Sequence, residues 1–213
     1  MIEKATIGKF VTIEGCEGVG KSTQLRLLKE YCERENIPAL FTREPGGCEI
    51  AEDIRRVILN PENTAMTDMT ELLLYAAARS QHTEQVIKPA LAQGITVFCD
   101  RYTDSTAAYQ GYARGIPLET VHAINTAAMC GVHIECTVFM DVPPEKGFAR
   151  KGGAATDDRL ERETLAFHKK VYEGFRAIIA ADPRRFLCFA AQGTKYDTHA
   201  EIVAALRRRK IFG

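Results

Sequence analysis

Near its N-terminus the chain carries the stretch Gly15-Cys16-Glu17-Gly18-Val19-Gly20-Lys21-Ser22, followed by Thr23. An apolar, β-rich run over residues 10–13 precedes this stretch, and a helical pattern follows it. Glycines at this spacing let successive backbone N–H groups turn inward around an anion, while Lys21 reaches the β and γ phosphates and the Ser22 hydroxyl can ligate Mg²⁺. The stretch therefore predicts a phosphate-binding loop between a strand and a helix.

Four further β-rich runs alternate with helical patterns along the chain. The β-rich runs span residues 38–43, 95–99, 136–140 and 185–189. Continuous apolar runs are typical of strands that are buried on both faces of a parallel sheet. We therefore predict an α/β fold with a doubly wound, five-stranded parallel sheet flanked by helices, the fold of P-loop NTPases, in which ligands bind at the carboxyl ends of the strands.

Three helices have clear sequence signals. They are predicted over residues 49–59, from residue 68 to about residue 91, and over residues 196–210. For the second helix, Thr67 and Asp68 are N-cap candidates, with Glu71 as the partner in a capping box. Pro89 is expected to kink or shorten the last turns of that helix.

Length and composition exclude several classes of protein. A chain of 213 residues is long enough for one α/β domain over residues 1–213, and no linker divides it. The 28 basic and 28 acidic residues balance, so no overall field recruits nucleic acid or an anionic membrane. No apolar stretch reaches the length of a signal peptide core or a transmembrane helix. We expect a cytoplasmic protein with neither nucleic acid nor membrane as a partner.

Cysteine and histidine residues give no sign of a metal site. The seven cysteines are scattered singly, without a CxxC pair, and are expected to be reduced thiols. The five histidines form no set with ligand spacing. His82 and His168 are predicted to be surface residues or core residues with satisfied hydrogen bonds.

Charged side chains follow three of the predicted strands. They are Lys21 and Ser22, Arg43 and Glu44, and Asp100 and Arg101. Phosphoryl transfer needs the transferring group to be positioned in line and its charge to be neutralised by Mg²⁺, Lys and Arg, which matches this set. Asp100 is the candidate carboxylate for Mg²⁺, held directly or through water, and Asp141 is the alternative.

Tyr75 and Arg79 are spaced i, i+4 and share one helix face. A planar base could stack on the tyrosine and accept hydrogen bonds from the guanidinium. Alternatively, Tyr75 packs in the core and Arg79 forms a surface ion pair. Tyr109 and Gln110 raise the same question in the helical region that follows Asp100.

A polar segment over residues 146–160 contains adjacent glycines and several basic side chains. This composition indicates a mobile lid over an anionic site, with Arg150, Lys151 and Arg159 as candidate contacts. The alternative is an ordinary surface loop between helices.

Four motifs together resemble those of bacterial thymidylate kinases, over nearly the whole chain. They are the loop at residues 15–22, Thr-Arg-Glu-Pro-Gly-Gly at 42–47, Asp-Arg-Tyr at 100–102 followed by Ser105, and Tyr-Gln-Gly-Tyr-Ala-Arg-Gly at 109–115. The resemblance implies that ATP donates its γ-phosphoryl group to dTMP, giving dTDP and ADP. It also implies a Mg²⁺-dependent transferase of dTTP synthesis that forms a homodimer.

The resemblance also implies roles for individual residues. In the family, the residue that matches Arg101 contacts the transferring phosphate, the residue that matches Tyr75 stacks on thymine, and the residue that matches Arg79 reads the base O4. The implied ATP site comprises Gly15, Cys16, Glu17, Gly18, Val19, Gly20, Lys21, Ser22 and Thr23. The implied dTMP site comprises Glu17, Glu44, Pro45, Arg55, Tyr75, Arg79, Arg101, Thr106, Tyr109 and Gln110.

Family members differ in whether a catalytic basic residue lies in the phosphate loop or in the lid. The loop of this chain has no basic residue between Gly15 and Gly20, so the lid is expected to supply one. Arg150 is the first candidate, with Lys151 and Arg159 as alternatives. The implied catalytic set is therefore Lys21, Asp100, Arg101 and Arg150, with Ser22 and Asp100 at the metal.

The chain departs from the family pattern in two places. The segment His133–Cys136 stands where the family usually has a Pro-Asp pair, and the lid is short and rich in glycine and alanine. Two other functions fit parts of the pattern. They are another P-loop nucleoside or nucleotide kinase, and a nucleotide-binding module without catalysis.

Overall fold

A parallel β-sheet runs through the centre of the computed structural model, which describes residues 8–151, 159–160 and 162–212. Within these residues, five strands lie in the order β2-β3-β1-β4-β5 and every neighbouring pair is parallel. The strands are β1 Phe10–Glu14, β2 Ala39–Arg43, β3 Thr96–Asp100, β4 Cys136–Met140 and β5 Phe186–Phe189. The predicted doubly wound, five-stranded sheet is confirmed.

The strand register brings the functional ends together. Ile13 of β1 lies opposite both Asp100 of β3 and Val138 of β4, so the loop that follows β1 leaves the sheet between the ends of its two neighbours. Arg43 of β2 lies opposite Asp100 on the other side. All five residues of β1 are buried, including the polar Thr12 and the charged Glu14. The polar residues after β1, β2 and β3 therefore meet at one edge of the sheet.

Nine α-helices and two π-helical segments surround the sheet in the part of the chain that the structure describes. The π-helical segments are Thr83–Ile87 and Ala107–Ala113. The α-helices are α1 Lys21–Arg34, α2 Glu49–Leu59, α3 Asp68–His82, α4 Lys88–Ala92, α5 Thr103–Thr106, α6 Leu118–Ala128, α7 Pro144–Lys151, α8 Leu165–Ala181 and α9 Lys195–Arg208.

The long helical pattern from residue 68 is continuous but not uniform. A π-helical turn follows α3 and leads into α4, in which Pro89 occupies the first turn, where its missing N–H is tolerated. Thr67 caps α3, since its hydroxyl accepts the backbone N–H of Thr70. The capping-box role predicted for Glu71 is wrong. Its carboxylate turns inward and accepts hydrogen bonds from Gln110 and other side chains.

Three clusters of buried apolar side chains lie among the described residues. One contains Phe98, Phe139 and Phe175, and a second contains Phe10 and Tyr102, whose rings meet edge to face at 4.9 Å. All seven cysteines are described, and they are free thiols. No helix among the described residues is long and apolar enough to cross a bilayer.

Candidate active site

The phosphate loop follows β1 and ends at Gly20, which caps α1 in a left-handed conformation. Lys21 Nζ donates to the carbonyl oxygens of Gly15, at 3.0 Å, and Cys16, at 2.8 Å, so the ammonium spans the loop. Burial lowers the pKa of Lys21, and the nearby Arg101 guanidinium lowers it further. A buried cation at a ring of backbone groups is suited to bind a polyphosphate.

Helix α7 packs directly against the phosphate loop through two glycines. A Cβ on Gly18, whose φ is +69°, would lie 2.5 Å from the carbonyl oxygen of Gly147. A Cβ on Gly147 would lie 2.0 Å from the carbonyl oxygen of Glu17. Backbone therefore meets backbone here, and no larger residue fits at either position.

Arg101 lies in a strained turn directly after β3. Its φ of +66° is rare for a residue with a side chain. The guanidinium forms an ion pair with Glu17, and its Nη1 donates to Gly15 O at 3.1 Å and to Ser105 Oγ at 3.0 Å. The cation also lies 5.2 Å from the ring centre of Tyr109. Several contacts thus hold one cation next to the phosphate loop.

Asp100 and Ser22 line the same cavity at the end of the loop. Asp100 Oδ1 is buried and has no hydrogen-bond partner among the described residues. A carboxylate oxygen of this kind fits Mg²⁺ or a water molecule bound to it. The described residues contain no cluster of three or more His, Cys, Asp or Glu side chains suited to a metal. Mg²⁺ would therefore depend on Ser22, Asp100, phosphate oxygens and water.

Asp141, the alternative carboxylate, is engaged elsewhere. It accepts hydrogen bonds from the Tyr172 hydroxyl at 2.7 Å and from Arg176 at 2.8 Å. It does not line the cavity that contains Asp100 and Ser22. The geometry favours Asp100.

Arg79 is the centre of a buried network at the other end of the cavity. Its guanidinium donates from Nε to Glu44 at 2.7 Å, from Nη1 to Asn125 at 2.6 Å and from Nη2 to Thr106 at 2.9 Å. Only 1% of Arg79 is exposed. The alternative of a surface ion pair is therefore wrong. Tyr75, one turn earlier on α3, is half-buried and lines the cavity.

Glu44 and Pro45 join the two ends of the site. The second carboxylate oxygen of Glu44 lies 3.1 Å from Nδ1 of His82, whose Nε2 lies 2.7 Å from the Thr42 hydroxyl. His82 is thus a core residue with both ring nitrogens in hydrogen-bond contact. Pro45, which follows a cis peptide bond, accepts a hydrogen bond from Arg55 Nη1 at 2.8 Å through its carbonyl oxygen.

These groups border one cavity of about 190 Å³. All ten residues of the implied dTMP site line it, together with Lys21, Ser22 and Asp100. Tyr109 also brings a buried hydroxyl that has no hydrogen-bond partner among the described residues. The ten residues are Glu17, Glu44, Pro45, Arg55, Tyr75, Arg79, Arg101, Thr106, Tyr109 and Gln110.

Sequence reasoning missed several residues of this site. His168 of α8 lines the cavity and contacts the Phe148 ring at a centroid distance of 5.0 Å. Leu59 and Leu160 also line it, and Asn125 contacts Arg79 from α6. No spacing or composition signal marks these residues, because their roles depend on how distant helices pack.

The segment predicted to be a lid, residues 146–160, is described only in part. Arg159 does not line the cavity. It donates to the carboxylate of Glu71 and, at 3.1 Å, to the carbonyl oxygen of Ile58. Arg150 and Lys151 belong to α7, but their side chains lie outside the described part of the chain, as does the segment 152–158.

The sheet, the phosphate loop and the cations around it define a P-loop phosphotransferase. Residues 13–202 match the family model described as thymidylate kinase. Over 209 residues the chain is 46% identical to thymidylate kinase from Geobacter sp. (strain M21), covering 95% of this chain and 93% of that protein. The chain therefore belongs to the thymidylate kinase family.

Two further relatives agree. Over 202 residues the chain is 45% identical to thymidylate kinase from Bacillus pumilus (strain SAFR-032), covering 94% of this chain and 95% of the relative. The crystal structure of thymidylate kinase from Ehrlichia chaffeensis superposes with a TM-score of 0.76 at 31% identity, covering 94% of this chain and 98% of that one. Sequence and fold thus indicate the same enzyme family.

Proposed function

We propose that the chain transfers the γ-phosphoryl group of ATP to dTMP, giving dTDP and ADP, with Mg²⁺ as cofactor. The observation that carries this proposal is that one cavity is lined both by Lys21 and Arg101 and by Tyr75 and Arg79. Phosphate-binding cations at one end and a planar, polar surface at the other match a nucleoside monophosphate. Glu44 and Pro45 line the same cavity.

Arg79 provides the preference for thymine over cytosine. A guanidinium has five N–H groups, and three of those on Arg79 have acceptors among the described residues. The remaining N–H groups can donate to the O4 of thymine. Cytosine presents an amino group at that position, so donor would face donor and the buried cation would lose an acceptor.

Transfer depends on neutralising charge on the moving phosphoryl group. Lys21 and Arg101 supply positive charge beside the loop, and contacts with Glu17 and Ser105 hold Arg101 in place. Ser22 and Asp100 would hold bound Mg²⁺, which would supply positive charge to the transferring phosphoryl group. Arg150 is our candidate for a further cation from the lid, residues 146–160, which closes over the site and excludes water.

Arg159 and Lys151 have weaker support as catalytic cations. Arg159 is bound to Glu71, which lies on α3 and also accepts a hydrogen bond from Gln110 at 2.8 Å. This contact supports an anchoring role for Arg159, at the border between the lid and the acceptor site. Lys151 stays a candidate on its position in the sequence alone.

We also propose that the chain forms a homodimer in the cytoplasm. Helices α2 and α3 pack together, and between them they expose four large apolar side chains. A homodimer would cover them, with one domain per protomer, and the seven free thiols fit the reducing cytoplasm. The exposed residues are Ile50, Val57, Met69 and Leu73.

A panel of acceptors tests the reaction. Purified protein with Mg²⁺ and ATP should release ADP far faster with dTMP than with dCMP, dGMP or UMP. Equal rates for all four acceptors would remove the proposed selectivity, and no ADP release with any of them would remove the activity. Chelation of Mg²⁺ with EDTA should abolish turnover, and addition of excess Mg²⁺ should restore it.

A further inference from the structure

A buried carboxylate lies directly behind the strained turn that carries Arg101. Glu14, the last residue of β1, is fully buried and does not line the cavity. Its Oε1 accepts the backbone N–H groups of Tyr102, at 2.8 Å, and Ser105, at 3.3 Å. Its Oε2 accepts the Ser105 hydroxyl at 2.6 Å. One side chain therefore holds both ends of the segment from residue 102 to residue 105.

The Ser105 hydroxyl connects Glu14 to Arg101 through two hydrogen bonds. A hydroxyl has one proton to donate, and in Ser105 that proton is directed to Glu14. The oxygen lone pairs are therefore free to accept from Arg101 Nη1, at 3.0 Å. Glu14, Ser105 and Arg101 form a chain in which the carboxylate sets the direction of each hydrogen bond.

The buried position of Glu14 is unfavourable for its charged form. Burial, followed by the nearby Asp104 carboxylate, raises its pKa to about 7, while Arg101, Ser105 and the Tyr102 N–H oppose the rise. A buried charge that opposes folding is retained where it serves another purpose. Backbone strain of the kind seen at Arg101 likewise persists only where surrounding contacts enforce it.

We propose that Glu14 is a positioning residue for phosphoryl transfer, which acts through Ser105 and the backbone turn to aim the Arg101 guanidinium at the transferring phosphate. This inference rests on the proposed role of Arg101. It assigns the function of Glu14 to the transition state rather than to substrate binding, because Glu14 does not itself line the cavity and reaches it only through Tyr102 and Ser105.

Steady-state kinetics of Glu14→Gln and Ser105→Ala test the chain of contacts. Each variant should lower kcat at least about tenfold, as misplacement of a charge-stabilising group does. The KM values for dTMP and ATP should change by less than about threefold. Because both variants interrupt one chain, the double variant should be no slower than the slower single variant. Ser105→Thr, which keeps the hydroxyl, should recover most of the wild-type kcat.

Thr83→Val is the matched control. Its hydroxyl makes a buried hydrogen bond of 2.8 Å with Tyr102, next to Arg101, but does not contact Glu14. This variant should lower the melting temperature and leave kcat within about twofold of wild type. Should Glu14→Gln fail to fold, Ser105→Ala and Ser105→Thr test the same chain.

Three results would overturn the positioning role. They are a wild-type kcat in Glu14→Gln or Ser105→Ala, an equal loss of kcat in Thr83→Val, and a double variant whose loss is the product of the single losses. The wild-type protein in the same assay reports on the proposed reaction by itself. An active wild type with an unaffected Glu14→Gln therefore removes only this inference.

Discussion

The two ends of the cavity are built in different ways. At the end that we propose binds phosphate, the phosphate end, consecutive residues of one loop line the cavity, and Lys21 bonds to carbonyl oxygens only five and six residues away. At the end that we propose binds the base, the base end, Arg79 is held by Glu44, Thr106 and Asn125, which come from three other parts of the chain. The phosphate end is local in sequence, whereas the base end depends on tertiary packing.

Because of this difference, we expect substitutions at the two ends to affect different properties, turnover at one end and folding stability at the other. A local loop can lose a side chain without disturbing the distant core, but a buried network loses stability when one member is removed. Changes at the phosphate end should therefore reduce turnover with little effect on folding. Changes at the base end should reduce folding stability as well as selectivity.

The largest expected effect is at the phosphate end. Lys21→Ala removes a buried cation from the loop and should lower kcat by about a thousandfold, since such groups stabilise charge in the transition state. The melting temperature should not fall, because burial of the ammonium is itself unfavourable. Lys29→Ala, on the exposed side of the same helix, is the control and should keep full activity. A large drop in melting temperature for Lys21→Ala would break the proposed separation.

At the base end, Glu44→Gln should destabilise the protein by about 3 kcal/mol, because it leaves the buried Arg79 cation without its counter-charge. Urea denaturation measures the loss. Glu84→Gln removes the partner of Lys88 in an exposed ion pair and should leave the midpoint unchanged. If the two variants unfold at the same midpoint, the buried network does not carry the stability assigned to it.

The contact between α7 and the loop gives a smaller effect. Gly147→Ala adds a Cβ that would lie 2.0 Å from the carbonyl oxygen of Glu17, so the loop must move. We expect kcat to fall at least about tenfold, with a higher KM for ATP. Ala149→Ser, on the exposed face of the same helix, should behave as wild type. Unaltered kinetics in Gly147→Ala would show that the loop tolerates the displacement.

The smallest effect is a pH dependence of stability that comes from Glu14. Its folded-state pKa, about 7, is above its ordinary value of 4.5, so between these pH values the folded state binds more protons than the unfolded state. The contribution of Glu14 to stability is therefore present below pH 4.5 and is lost as the pH rises to about 7. Relative to Glu14→Gln, the wild type should lose stability between pH 5 and pH 8 in urea denaturation. Parallel profiles for the two proteins would contradict this.

The same division explains what the sequence could predict. β-rich runs predicted all five strands, and the signal is clearest for β3 and β4, because a strand buried on both faces is apolar along most of its length. Residues 136–140 match β4 at both ends, whereas the run 95–99 begins one residue before β3. The phosphate loop and the strand and helix on either side of it could be predicted equally well, because the residues that mark them are adjacent in the sequence.

Tertiary contacts left weaker signals. Glu71 has the spacing of a capping-box acid, but its side chain faces Gln110 and Arg114, and spacing alone cannot distinguish the two orientations. Glu14 has no signal beyond its place after the β-rich run 10–13, and His168 was predicted only to be a surface residue or a core residue with satisfied hydrogen bonds. The motif at residues 100–102 marks the turn after β3, but it does not show that Glu14 lies behind that turn, and no pattern marks how α8 packs against the cavity.

Gly18 of the phosphate loop and Gly147 of α7 bring two backbones into direct contact, so neither element can move closer to the other. Side chains between two elements normally absorb small displacements by changing rotamer, but none lies between Gly18 and Gly147. If the loop moves toward α7 by a few tenths of an ångström, α7 must therefore move as well. Since α7 contains the first residues of the segment that we propose as a lid, residues 146–160, we expect the occupancy of the phosphate loop to be felt at the start of that segment.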